Sequence, residues 1–472
     1  MDEKRNFYLG YTVSEYQRFK KYAWIYLLMF SVLYCFQYCT RLNIGSATPY
    51  LIDNGWSQST IGILTGTLFW TYGIGQLISG RMSELVGPAK FIVAAVVLSA
   101  VANFLVAAQD TDSVVILAVI WGANGLFQSM SWTPGIAALT KWWPGKSRGF
   151  ATGFANAFSG FGQVAAYMAV LAAYEWFPQF GWKAGFVFPA WISLGVLLVY
   201  LLLVKTTPRK IGLPDYQEDA KEKNEAESQM QEILESKGIL YPYKYILSNP
   251  KFLIWIIIAF SVGLARYGLS TWIPLYFKQQ GLSAVASVAS SMILPVGMGI
   301  GTLVVPWLTD RVCPNNRLPA AVVSALIGAV TTVVIFALDA SQGIGLLLVE
   351  MLLFVSGFCI YAINGIMFTY AADFGGRVFS GTCSGILNFA AYLGAAVQAV
   401  VYGFILDNGG WKIVFVSIAM FNLLIAALGA AGSGRSMMWK ATPLNRNNSC
   451  VALQISTGSS NPLYSCGDKR YE

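Results

Sequence analysis

The feature of this sequence that most limits its fold is a series of long apolar runs separated by polar stretches. A helix needs about 20 apolar residues to cross the hydrocarbon core of a bilayer, and the runs approach or exceed that length. Because lipid-exposed backbone must satisfy its own hydrogen bonds, the runs are predicted to be helices. The sequence therefore predicts an all-α integral membrane protein. The twelve predicted spans, numbered in chain order, are residues 24–51, 59–80, 91–108, 114–139, 149–174, 184–204, 252–277, 284–309, 318–338, 343–370, 379–406 and 413–431.

The positive charges of the chain are distributed unevenly between its polar stretches. They precede span 1 and lie in the connections that follow even-numbered spans. Positive residues favour the cytoplasmic side, so both termini are predicted to be cytoplasmic, in a plasma or inner membrane. This pattern accounts for the net charge of +8, which therefore does not indicate a nucleic-acid partner. The residues concerned are Lys4, Arg5, Arg18, Lys20, Lys21, Arg81, Lys90, Lys141, Lys146, Arg148, Arg311, Arg317 and Arg377.

The inventory of reactive side chains excludes several kinds of catalytic site. The chain has no histidine, and its seven cysteines show neither metal-ligand nor disulfide spacing. Histidine-based triads and imidazole metal sites are therefore excluded. No nucleophile–base set is visible either. We predict that the chain is not an enzyme and binds no cofactor.

The spans are predicted to form two halves that repeat each other. Arg41 precedes Pro49 by eight residues, and Arg266 precedes Pro274 by the same distance in the second half. A parallel repeat of this kind is typical of a secondary transporter with its binding site at the midplane between two bundles. The predicted segments are a cytoplasmic segment at 1–23, bundles at 24–204 and 252–431, a cytoplasmic linker at 205–251 and a disordered tail at 432–472. We expect the monomer to function.

Charged residues within the predicted spans are rare: Arg41, Arg266 and Glu350. A charge at the bilayer centre costs about 2.5–3.5 kcal/mol even on insertion scales, so such residues usually face a cavity and carry function. The two arginines occupy equivalent places in the repeat and are predicted to converge on a central cavity. Glu350 has three open interpretations: a proton-coupling carboxylate, a partner for one arginine, or a residue of helix packing.

The arginine pair indicates the chemistry of the ligand. A guanidinium group binds phosphate or carboxylate oxygens in a bidentate manner and stays charged at any working pH. Two of them match a phosphate monoester, which carries nearly two negative charges. Polar and aromatic residues at helical spacing are predicted to line the same cavity, although such stripes also join helices to each other. They are Tyr34, Tyr38, Gly45, Thr48, Tyr72, Gln76, Asn124, Gln128, Trp132, Thr152, Asn156, Ser159, Gln163, Ser384, Asn388 and Tyr392.

Several stretches of the sequence resemble the organophosphate:inorganic phosphate antiporters of the major facilitator superfamily. They include "RLNIGSATPYL" in span 1, "FQSMSWTPG" in span 4, "KWWPGKSRG" before span 5 and "RYGLSTWIPLYFK" in span 7. The resemblance implies the major facilitator fold, with two pseudo-symmetric six-helix bundles, and exchange of a glycerol or sugar phosphate for inorganic phosphate. It implies that Arg41 and Arg266 grip the phosphate. It places Tyr34, Tyr38, Tyr72, Gln128, Trp132, Asn156, Tyr361 and Tyr392 around it.

Two connections resemble the signature loop of the superfamily. "GRMSELVGPAK" follows span 2 and "PWLTDRV" follows span 8, and each places an acid just past a helix end. The resemblance implies that Glu84, Asp310 and Arg311 latch neighbouring helices on the cytoplasmic side. Ordinary helix-end charge is the alternative explanation.

The sequence also departs from the family pattern at four places. Members of the glycerol-3-phosphate type usually have a lysine where this chain has Leu42, a lysine at Gln76, a histidine at Ser159 and an acid at Thr271. The cavity is therefore less cationic than the family pattern implies. Two other functions stay open: a membrane sensor of a sugar phosphate, and a proton- or sodium-coupled carboxylate symporter.

Overall fold

The structure is a computed structural model, and it describes residues 10–109, 113–214, 241–312, 317–338 and 343–433. Its described part contains twelve helices long and apolar enough to cross a membrane, which confirms the predicted number and class. Spans 1 to 12 are Val13–Asp53, Gln58–Ser79, Pro88–Ala108, Val114–Leu139, Phe150–Trp176, Pro178–Leu203, Pro250–Gln279, Ala284–Thr309, Leu318–Ala337, Gly343–Ala371, Thr382–Asp407 and Trp411–Gly432.

The helices extend beyond the spans at several ends. The α-helices are Val13–Gln37, Asn43–Asp53, Gln58–Val86, Pro88–Ala108, Val114–Leu139, Gly145–Trp176, Ala184–Leu203, Tyr241–Leu247, Pro250–Gln279, Ala284–Ser291, Ile293–Val312, Leu318–Ala337, Gly343–Asp407 and Trp411–Ser433. Short 3₁₀ helices cover Tyr38–Thr40, Pro178–Lys183 and Pro208–Ile211. Most of the predicted linker and tail lies outside the described residues.

The first helix begins well before the predicted start of span 1 at residue 24. Thr12 and Glu15 form a capping box: the Thr12 hydroxyl accepts a bond from the Glu15 amide, and the Glu15 carboxylate accepts one from the Thr12 amide. This reciprocal capping satisfies amides that would otherwise lack a partner, so it fixes Val13 as the first helical residue. The polar residues that follow are therefore helical rather than an irregular segment.

The connection between spans 10 and 11 is also helical. The backbone is helical at every residue from Gly343 to Asp407, including residues 371–378, which the sequence analysis leaves between spans 10 and 11. Hydropathy marks this connection by its polar residues, and a polar segment can still be helical.

Small residues bring the two halves of the chain together at two places. A Cβ atom added to Gly62 of span 2 would lie 2.3 Å from the carbonyl oxygen of Ala399 in span 11. One added to Gly160 of span 5 would lie 2.6 Å from the Cα of Gly299 in span 8. In membranes such close backbone contact supplies the van der Waals packing that holds helices together.

The halves approach each other unequally along the membrane normal. We call the side where the described chain begins and ends the terminal side, and the other the opposite side. Gly62 lies near the opposite-side end of span 2 and meets span 11 closely. By contrast, a Cβ added to Gly153 or Gly385, toward the terminal-side ends of spans 5 and 11, meets nothing within 4 Å. The described halves are therefore in contact on the opposite side, and these two glycines make no comparable contact on the terminal side.

Candidate functional site

Span 1 is broken at the depth of Arg41. Its first helix ends at Gln37, a 3₁₀ turn covers Tyr38–Thr40, and helix resumes at Asn43. The backbone angle φ of Arg41 is −118° and that of Leu42 is −101°, both outside the helical norm. A break of this kind frees backbone groups that need other partners inside a membrane.

Side-chain amides from two neighbouring spans satisfy the freed carbonyl. The Thr40 carbonyl oxygen accepts hydrogen bonds from Nδ2 of Asn103 in span 3 and Nδ2 of Asn124 in span 4, both at 2.9 Å. Nε2 of Gln128 donates to Oγ1 of Thr40, also at 2.9 Å. These three amides hold the break beside Arg41. The sequence analysis named Asn124 and Gln128 as lining residues but missed Asn103, a lone buried amide in a long apolar run.

Tyrosine rings surround the guanidinium group of Arg41. The side chain is 1% exposed. Its Cζ lies 4.0 Å from the ring centroid of Tyr38, 4.8 Å from that of Tyr72 and 5.9 Å from that of Tyr34. These distances are in the range of cation–π attraction, which offsets part of the cost of burying the charge.

Arg266 has an equivalent environment in the second half, on a helix that continues without a break. It is 7% exposed, and its Cζ lies 4.3 Å from the ring centroid of Tyr361 and 4.5 Å from that of Tyr267. The sequence analysis missed Tyr267, although it follows Arg266 directly and shares the cage. Tyr38 interacts electrostatically with both arginines, so the two cages form one cluster.

Most guanidinium nitrogens of the pair lack a hydrogen-bond partner among the described residues. Nε, Nη1 and Nη2 of Arg41 are buried and unpaired, as are Nε and Nη2 of Arg266. Aromatic faces do not accept conventional hydrogen bonds from these donors. A buried charged donor without an acceptor is strongly destabilising, more so than a neutral group. The cluster is therefore matched to an anion with several oxygen atoms.

Hydroxyl and ring contacts connect the two halves around the arginines. Oγ of Ser159 in span 5 lies 3.0 Å from the Tyr361 hydroxyl in span 10. The rings of Tyr72 in span 2 and Tyr392 in span 11 lie 4.3 Å apart. Within one half, the Tyr267 hydroxyl donates to that of Tyr392 at 3.2 Å. The predicted residues Ser159, Tyr72, Tyr361 and Tyr392 thus belong to the cluster.

Other predicted residues lie at the edge of this cluster or apart from it. The ring of Trp132 lies 4.7 Å from that of Tyr34, and Oε1 of Gln76 accepts a bond from Thr133 at 2.9 Å. Asn156 and Asn388 are half-buried at equivalent positions of spans 5 and 11. Glu350 is half-buried, and no ion pair joins it to Arg41 or Arg266.

The predicted latch is described only in part. The side chains of Glu84 and Asp310 lie outside the described residues. The exposed Arg311 packs its Cζ 4.0 Å from the ring centroid of Trp307 in the same helix.

Polar contacts join the halves at the opposite side. Lys278 of span 7 pairs with Asp53 of span 1 and donates to the Pro49 carbonyl at 3.1 Å. The Asp407 carboxylate, at the end of span 11, accepts bonds from the backbone amides of Gln58 at 2.9 Å and Ser59 at 3.1 Å. An acceptor at the first amides of a helix is a stabilising cap, here supplied by the other half.

Comparison with known proteins gives one family and a consistent set of relatives. The sequence model of the Major Facilitator Superfamily matches residues 30–399. A glycerol-3-phosphate transporter of Bacillus subtilis (strain 168) is 29% identical over 411 residues, which cover 84% of this chain and 89% of that one. A probable hexose phosphate transport protein of Chlamydia pneumoniae is 28% identical, with the same coverage. The membrane sensor protein UhpC of Escherichia coli (strain K12) is 25% identical, and the match covers 82% of this chain and 87% of that one.

Solved structures agree on the fold. A bacterial homologue of the human lysosomal transporter Spinster, inward-facing and occupied, superposes with a TM-score of 0.70 at 16% identity, over 89% of this chain and 99% of that one. The D-xylose–proton symporter superposes with a TM-score of 0.64 at 17% identity, over 86% and 97%.

Proposed function

This chain belongs to the major facilitator superfamily and is an integral multi-pass membrane protein, and we propose that it carries an organic phosphate ester across the membrane in exchange for inorganic phosphate. Relatives that transport glycerol 3-phosphate or hexose phosphates support a phosphate-ester substrate. The proposal makes the protein a transporter rather than an enzyme.

The single observation that carries this proposal is the set of unpaired guanidinium nitrogens. Five of them are buried without an acceptor among the described residues, three on Arg41 and two on Arg266. A phosphate group offers several acceptor oxygens and nearly two negative charges, which match two bidentate guanidinium groups. Each opposite-charge contact at about 4 Å is worth about 4 kcal/mol at an effective dielectric of 20, before desolvation is subtracted.

Charge also explains why exchange would be favoured over uniport. An empty site places two buried positive charges near each other, and this repulsion raises the free energy of the closed, water-excluding state. An anion that bridges the arginines compensates both charges at once. The halves then change conformation readily only when loaded, so the carrier exchanges one phosphate for another by alternating access.

The contact pattern of the halves suggests which conformation the structure represents. The halves meet at the opposite side through Lys278, Asp53 and Asp407, and a Cβ at Gly153 or Gly385 on the terminal side would meet nothing within 4 Å. With cytoplasmic termini, as the charge distribution predicts, this is a conformation closed to the outside.

Counterflow in vesicles tests the exchange. Purified protein is reconstituted into vesicles, one set loaded with inorganic phosphate and one left empty, and uptake of labelled phosphate is measured. We expect uptake in the loaded set alone, competed by unlabelled glycerol 3-phosphate or glucose 6-phosphate. Equal uptake in both sets would refute exchange, and no uptake in either would remove inorganic phosphate as the counter-substrate.

A sensor is the second candidate, because sensor proteins are among the similar relatives. A sensor needs the same anion site but little flux. Binding of the ester to the purified protein, without counterflow of that ester, would identify this function. A carboxylate symporter, the third possibility, would show uptake that follows an imposed pH or sodium gradient and ignores phosphate.

A further inference from the structure

A small cavity lies between the two halves, next to the arginine cluster but outside it. Its volume is about 10 Å³, room for about one water molecule or one hydroxyl group. Both halves contribute to its walls, which come from spans 1, 2, 5 and 7. The lining residues that matter here are Gly45, Thr65, Gln163, Tyr167, Ser270 and Thr271.

The cavity lies one helical turn from each arginine, toward the opposite side. Leu42, which follows Arg41, forms part of its wall. Ser270 is four residues after Arg266, a rise of about 6 Å, and its hydroxyl donates to the Arg266 carbonyl at 3.0 Å. The carbon chain of a short polyol phosphate bridges such a distance when its phosphate lies between the arginines.

Its walls offer uncharged hydrogen-bonding groups. Thr65 is 2% exposed, and its Oγ1 has no partner among the described residues. Gln163 is also 2% exposed and lines the same space. The Tyr167 hydroxyl in span 5 donates to the Ser270 carbonyl in span 7 at 2.8 Å, so the cavity wall itself joins the two halves.

The chemistry of these walls favours one kind of group. None of the lining residues is charged, so a carboxylate or a second phosphate would be desolvated there without a counter-charge. A methyl group would leave the Thr65 hydroxyl without a partner. A substrate hydroxyl both donates and accepts, as the neutral walls require.

We propose that this cavity is a specificity subsite that takes one hydroxyl of the carbon chain of a phosphate ester whose phosphate is bound by Arg41 and Arg266. The inference rests on the proposed phosphate-ester function and deepens it. Thr65 is the residue that tells a hydroxylated ester from an alkyl phosphate. Inorganic phosphate has no carbon chain, so it binds the arginines without using this subsite.

Competition binding tests the subsite. Displacement of labelled inorganic phosphate from the detergent-purified full chain is measured with glycerol 3-phosphate and with propyl phosphate. Thr65→Val keeps the shape and removes the hydroxyl. We expect its affinity for glycerol 3-phosphate to fall about three- to tenfold, the effect of one neutral hydrogen bond, while the affinities for phosphate and propyl phosphate stay unchanged.

Thr67→Val is the matched control, because it removes a hydroxyl from the same span outside the cavity, where the group bonds to the Ile63 carbonyl at 2.8 Å. We expect wild-type ratios for this variant. Thr271→Val is the second test should Thr65→Val fail to fold. Equal losses of affinity for all three ligands, or an unchanged ratio of the affinities for glycerol 3-phosphate and propyl phosphate, would overturn the subsite but not the proposed function. No phosphate displacement in the wild type would overturn the proposed function.

Discussion

Replacing Arg41 by lysine separates the charge of the site from its geometry. Lysine keeps the positive charge, but its three N–H donors share one nitrogen atom, whereas the N–H donors of the guanidinium group lie in one plane as a fork and can bind two oxygen atoms at once. All three guanidinium nitrogens of Arg41 are buried and unpaired, so the full fork is available to a ligand. The substitution therefore tests bidentate recognition and not charge balance.

The magnitude follows from the bonds that are lost. One hydrogen bond to a charged group contributes about 1.5–3 kcal/mol. Loss of one arm of the fork should therefore weaken phosphate binding about ten- to hundredfold, since about 1.4 kcal/mol corresponds to a factor of ten. The cation–π contact with Tyr38 at 4.0 Å also changes, which adds to the loss.

Phosphate affinity is measured by equilibrium binding to the purified variant, and exchange by counterflow in vesicles. Arg18→Lys is the control, because Arg18 is exposed in the polar first part of the first helix, so the same chemical change there should leave binding unaltered. A change of less than about twofold for Arg41→Lys, with a normally folded variant, would show that charge alone suffices and would refute the bidentate argument.

Further predictions concern the break, the halves and the ligand. Asn124→Leu removes one of the two side-chain amides that donate to the Thr40 carbonyl. It should lower the free energy of unfolding by about 1–3 kcal/mol, and with it the melting temperature and the phosphate affinity. An unchanged melting temperature would contradict this prediction. Asp407→Ala removes a cap worth about 0.5–2 kcal/mol and should shift spin-label distances between spans 2 and 11 toward a state open at the opposite side. Glu350→Gln should leave phosphate affinity unchanged, since no ion pair joins Glu350 to the arginines, and a tenfold loss would contradict this. Affinity for a phosphate ester should fall as the pH drops below about 6, where the dianion gains a proton; equal affinity at pH 5 and pH 7 would contradict the match to two charges.

The spans could be predicted from the sequence because their signal is local. A run of apolar residues identifies a membrane helix without knowledge of its neighbours, and the twelve predicted spans agree with the structure to within a few residues at most ends. The largest exception is the start of span 1, where a capping box extends the helix through polar residues that hydropathy excludes.

The site could be predicted only in outline. Arg41 and Arg266 stand out because a charge within an apolar run is costly wherever it lies. Tyr267 and Asn103 do not stand out in the sequence. A single tyrosine or asparagine in a membrane helix can take several roles, and its role depends on which neighbouring span its side chain contacts. The repeat in the sequence also conceals a difference: Arg41 lies at a break and Arg266 on a continuous helix.

This difference has a mechanical consequence for the proposed transport cycle. The break beside Arg41 is held by Asn103 and Asn124 of its own half, so Arg41 moves with spans 3 and 4. Arg266 lies among rings of the second half and moves with that half. Some of the contacts that cross the cluster join two neutral groups, such as the 3.0 Å hydroxyl contact of Ser159 with Tyr361, and are worth about 1 kcal/mol each. A bound dianion would hold the halves together more strongly than these contacts, because it would bond to both arginines at once. We therefore expect the ligand itself to set the distance between the halves at the midplane.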